Sequence, residues 1–102
     1  MLRSERAERF ARIEEEVARE KAAALGRAGE RLEAALAEVA ELARAFAGAG
    51  DAPTRERLAG EYEGARRQAL AARTALLIQR EALGLRQHRA VDQHFPEPPP
   101  RP

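Results

Sequence analysis

The sequence predicts an all-α protein: a long antiparallel two-helix hairpin, coiled-coil-like, that pairs into a four-helix bundle and ends in a short Pro-rich C-terminal tail. Three observations carry this. Large apolar residues recur at Phe10, Ile13, Val17, Leu25, Leu32, Leu36, Val39, Leu42 and Phe46, in steps of helical rather than strand period. Proline is absent from Ser4 to Ala47 and returns only at Pro53 and beyond Phe95. Finally, the apolar positions of the two halves face each other in one register: Val39 with Tyr62, Leu36 with Ala65, Leu32 with Ala69, Leu25 with Leu76 and Phe10 with Val91 share a constant sum of positions, whose midpoint falls at Gly50-Asp51.

These elements make one domain over residues 1–95. Helix one spans about 4–47, rich in the strong helix formers Ala, Glu, Arg and Leu. Ser4 is its expected N-cap, with Glu5 and Glu8 placed to suit the helix dipole. Gly48-Ala49-Gly50 stops it, and the turn covers about 48–52. Asp51-Ala52-Pro53-Thr54 restarts the chain: Asp or Thr caps, and Pro occupies a first-turn site where its missing N–H costs nothing. Helix two spans about 53–93, with the stripe Leu58, Tyr62, Ala65, Ala69, Ala72, Leu76 and Leu83. Gly84 is either a packing glycine within it or a C-cap, with Leu85 to His94 then a separate final helix. Residues 96–102, Pro-Glu-Pro-Pro-Pro-Arg-Pro, form the tail, extended for want of N–H donors and helical φ/ψ freedom.

Composition bounds function. There is no cysteine or tryptophan, aromatics are 4 % of the chain, and charged residues are 34 % yet sum to a formal +1. No disulfide framework, thiolate site or base-stacking platform follows from this, and no bulk charge attracts nucleic acid. No apolar run approaches a membrane span and the first residues lack a signal peptide's apolar core, so a cytoplasmic protein is expected. Seventeen arginines stand against one lysine, Lys21. Ala, Arg, Gly and Pro, all with GC-rich codons, fill more than half of the chain, which suggests a bacterial source.

One step of the stripe is polar. Between Val17 and Leu25 the seam position is Lys21, opposite Arg80; Glu20, Gln79 and Glu81 complete a candidate polar layer. Such a layer fixes register or oligomer state at a cost in stability; a ligand or anion site at Lys21 and Arg80 is the sharper alternative. Gly26 and Gly29, opposite Ala75 and Ala72, read as a close helix crossing, with a kink or a ligand at the bare backbone as alternatives. Glu14, Glu15, Glu16 and Glu20 lack the Glu-x-x-His partner of a di-iron bundle. His88, Asp92 and His94 do not share a face. With no nucleophile elbow or phosphate loop, the chain is expected to be no enzyme and to need no cofactor or metal.

Charge is segregated. Residues 65–95 carry Arg66, Arg67, Arg73, Arg80, Arg86 and Arg89 against Glu81 and Asp92, whereas residues 26–64 are net acidic. This suits antiparallel packing between copies; Arg66, Arg67, Arg73, Arg86 and Arg89 form an alternative polyanion patch, weakened by the acidic half. Pro96, Pro99 and Arg101 match a proline-rich ligand pattern, and a docked or disordered tail is the simpler expectation. Helix two carries a second stripe, Leu70, Thr74, Leu77, Ile78 and Leu85, with no third layer to cover it. Leu70, Leu77, Ile78 and Leu85 are therefore the expected dimer face.

Two stretches, Glu20-Lys21-Ala22-Ala23-Ala24-Leu25-Gly26-Arg27-Ala28-Gly29-Glu30-Arg31-Leu32 and Gln79-Arg80-Glu81-Ala82-Leu83-Gly84-Leu85-Arg86, resemble a family of short bacterial all-helical proteins of unknown function. The resemblance covers about 21 residues and implies bacterial origin, with no site or partner to carry over. The expectation is thus a self-associating, non-enzymatic interaction or structural module. Polyanion or nucleic-acid binding through the Arg-rich half of helix two is the alternative, and the Lys21/Arg80 ligand site stands third. A protein partner other than itself is compatible with the first.

Overall fold

The computed structural model describes residues 2–102. It is an all-helical rod of 77 × 21 × 14 Å. The helices are α1, Leu2–Gly48, α2, Ala52–Ala82, and a short α3, Arg89–His94. Helix α1 starts earlier than expected: Ser4 lies inside it and caps nothing. Leu2 and Arg3 are both good helix formers, so the helix has no reason to begin at Ser4.

The turn follows its local chemistry. Asp51 is the N-cap of α2, its Oδ2 accepting from the Thr54 amide at 3.0 Å, and Pro53 sits in the first turn. Helices α1 and α2 then pack antiparallel around two clusters. Near the turn, Val39, Tyr62, Ala65 and Ala69 are buried, with Leu36 and Leu42 against them. Further along, Ala28, Leu32, Leu76 and Val91 form the second, joined by Leu25 and Phe95. Val39 with Tyr62, Leu36 with Ala65, and Leu25 with Leu76 thus share clusters, as their register demands.

Helix two does not reach residue 93. It ends at Ala82, where Gly84 adopts φ +84°. The Gly84 amide donates to the Glu81 carbonyl and the Leu85 amide to the Arg80 carbonyl, the paired bonds of a Schellman stop. The chain folds back through Leu85–His88, and α3 packs Val91 into one cluster with Ala28 and Leu32 of α1 and Leu76 of α2. Val91 is thereby carried away from Phe10, its expected partner, which is 65 % exposed. Reversal at Gly84 also shortens α2 to 31 residues against the 47 of α1. The difference, 16 residues, is about 24 Å of helix.

Candidate interaction surface

That difference leaves an arm. From Arg3 to Ala23 every residue of α1 is exposed. Phe10, Ile13 and Val17 stand at 65, 56 and 38 %. Along α1 the stripe continues through Ala24, Ala28, Leu32 and Val39 in helical steps, so the arm presents the same face that α2 covers further on. Glu5 with Arg9, Glu8 with Arg12 and Glu15 with Arg19 stand acid-before-base four residues apart, a spacing that favours helix without tertiary support.

At the root of the arm lies a cleft of about 430 Å³ whose lining includes Leu25, Gly29, Leu76, Arg80, Val91 and Phe95. It is apolar at its base. Gly29 opens onto it: a Cβ built there or at Gly26 meets nothing within 4 Å. The close crossing expected of Gly26 and Gly29 against Ala72 and Ala75 is therefore absent, because the returning α3 segment lines the space beside Gly29.

The polar layer does not assemble either. Glu20, Lys21 and Glu81 are exposed, while Gln79 and Arg80 are half-buried. Arg80 turns toward its own chain, donating from Nη2 to the Gln87 carbonyl at 3.0 Å and from Nε toward His88 Nδ1 at 3.4 Å. Glu81 lies 3.4 Å from the other ring nitrogen of His88. The layer fails because α2 ends just beyond Arg80 and the carbonyls and imidazole of the turn offer nearer partners. Among the described residues no group of His, Asp or Glu converges as a metal cluster.

The proline tail is docked on α2. Five of its residues are prolines, which offer carbonyl acceptors but no amide donors, so its partners must donate. Tyr62, Arg66 and Arg73 do so from one face of α2. Tyr62 Oη donates to the Pro99 carbonyl at 2.5 Å, Arg66 Nε to Pro98 at 3.0 Å and Arg73 Nε to Phe95 at 3.0 Å. The Arg73 side chain, only 12 % exposed, also pairs with Asp92 and, at 3.6 Å, with Glu97. Pro98 is buried. Sequence reasoning missed this clamp, although the tail's lack of donors was a usable signal.

The anticipated surfaces on α2 are divided by these contacts. Of the arginine patch, Arg66 and Arg73 hold the tail and Arg67 faces Glu63 at 3.6 Å, while Arg86 and Arg89 are exposed. Of the expected dimer face, Leu77 packs against the Leu32–Val91 cluster and Leu70 is half-buried. Ile78 and Leu85 remain exposed at 61 and 43 %. Among the described residues no helix is long and apolar enough to cross a membrane. No family model, curated protein or solved structure matches the chain.

Proposed function

We propose that this chain is a non-enzymatic helical interaction module that associates with itself, as a dimer. The observation that carries the reading is the uncovered face of α1, with Phe10, Ile13 and Val17 aligned in solvent along the stretch that α2 does not reach. Covering each large side chain is worth roughly 1.5–3 kcal/mol, enough in sum to drive association. Ile78 and Leu85 add a smaller apolar area on α2.

Binding of a polyanion through the arginines is the weaker reading, since three of its five residues are engaged by the tail or by Glu63. A ligand site at Lys21 and Arg80 is weaker still, because Arg80 is committed to the Gln87 carbonyl. Light scattering tests the proposal. A mass of twice 11.2 kDa at high micromolar concentration is expected, and a monodisperse monomer overturns it. Retention on heparin at low salt, lost as salt rises, would instead favour the polyanion reading.

A further inference from the structure

Resting on self-association as the reading, we infer that the occupant of the exposed arm is the arm of a second copy, laid antiparallel, so that each copy prolongs the line along α1 that α2 abandons.

Two features point to this occupant. The first is charge. Residues 3–12 carry Arg3, Arg6, Arg9 and Arg12 against Glu5 and Glu8, whereas residues 13–20 carry Glu14, Glu15, Glu16 and Glu20 against Arg19 alone. The arm is therefore basic at its tip and acidic toward its root. An antiparallel partner sets the basic stretch of one copy on the acidic stretch of the other. With Phe10 packed on the partner's Ile13, Arg3 lies opposite the partner's Glu20 and Arg9 near the partner's Glu16. Each contact occurs twice by the two-fold axis. A parallel partner faces Arg3, Arg6 and Glu20 with their own copies across the seam, where like charges repel.

The second feature is space. The face that bears Phe10, Ile13 and Val17 is the face on which α2 and α3 pack further along. A parallel partner would need to place its own hairpin body where these helices already stand. An antiparallel one sends the two bodies to opposite ends. Its arm then follows the direction α2 already takes against α1, and the overlap of about 20 residues spans roughly 30 Å.

Sedimentation of single variants, their mixtures and spin-labelled chains tests the pairing. Ile13→Glu, at an exposed site remote from both clusters, is expected to weaken dimerisation at least about a hundredfold by placing a charge in the seam, with helicity otherwise kept. Arg3→Glu/Arg6→Glu/Arg9→Glu and Glu14→Arg/Glu16→Arg/Glu20→Arg are each expected to be monomers, and their equimolar mixture a dimer. Because the chain has no cysteine, Ala49→Cys gives a single label at the hairpin turn. Labels on the two copies should lie on the order of 100 Å apart, beyond dipolar coupling. A dimer that survives Ile13→Glu, or strong coupling between turn labels, overturns the antiparallel arm while leaving self-association standing. A monomeric parent chain overturns both.

Discussion

The hydroxyl of Tyr62 reaches the carbonyl of Pro99 at 2.5 Å, tying the middle of α2 to a residue 37 positions later in the chain. The ring itself is 1 % exposed and fills the cluster beside Val39, so one side chain serves both the seam and the tail. Tyr62→Phe separates the roles: the ring stays, the bond goes. The expected cost is about 1 kcal/mol, with faster proteolysis of the Phe95–Pro102 segment and an unchanged helical signal. Arg73→Ala should free the same segment and loosen α3 as well, since its guanidinium holds Phe95, Asp92 and Glu97 together. If the tail of either variant is cut no faster than that of the parent, the clamp is not what retains it.

Gly84 holds a left-handed backbone, φ +84°, with open space where a Cβ would stand. The strain of a substitution there is conformational, not steric. Gly84→Ala is expected to lower stability by about 1 kcal/mol or somewhat more, and Gly84→Asn by less. Thermal melts of the two variants check the order.

Gly26 and Gly29 present the reverse case. Both lie within α1 with right-handed backbone, and an added Cβ at either meets nothing within 4 Å. Alanine at each should therefore raise stability by about 1 kcal/mol. A loss of stability in either single variant would show that bare backbone is needed at the cleft.

Asp51 governs the start of α2 in a pH-dependent way. The Thr54 side-chain hydroxyl, and after it the Thr54 amide, hold its carboxyl below the ordinary 3.8. A carboxylate with a depressed pKa in the folded chain stabilises above the unfolded value, and that contribution fades as pH falls through the folded one. The gap in melting temperature between the parent and Asp51→Ala should thus be present at neutral pH and close in strong acid. A gap that persists unchanged in acid would assign the cap to something other than the ionised side chain.

The arm has no tertiary support within its own chain, so its helix rests on the local helix–coil balance alone. Amides of residues 5–20 should exchange with solvent quickly in dilute solution, and more slowly as protein concentration rises. The amides around Leu32, which is 0 % exposed, should exchange slowly at both concentrations.

How far the sequence could be read follows from which interactions are local. The turn was legible because Gly48, Gly50, Asp51 and Pro53 act within a few residues, and the seam because Val39, Leu36 and Tyr62 obey helical period. Gly84 reads in sequence as a potential stop, yet choosing between stop and packing glycine depends on where α3 finds apolar cover, a non-local matter. With that choice open, the Phe10–Val91 pairing and the Lys21–Arg80 layer both assumed a helix two that continues past residue 82. The clamp of Tyr62, Arg66 and Arg73 was hidden for another reason: side-chain donors reaching backbone carbonyls leave no periodic trace in sequence.

The stop at Gly84 has a consequence beyond its own few bonds. How much of α1 remains uncovered is fixed by where its neighbour ends, not by the residues on the uncovered face. Moving that glycine along helix two would lengthen or shorten the open segment while Phe10, Ile13 and Val17 stayed as they are. Reach and chemistry of the arm are therefore written at two separate places in the chain, and each can change while the other is kept.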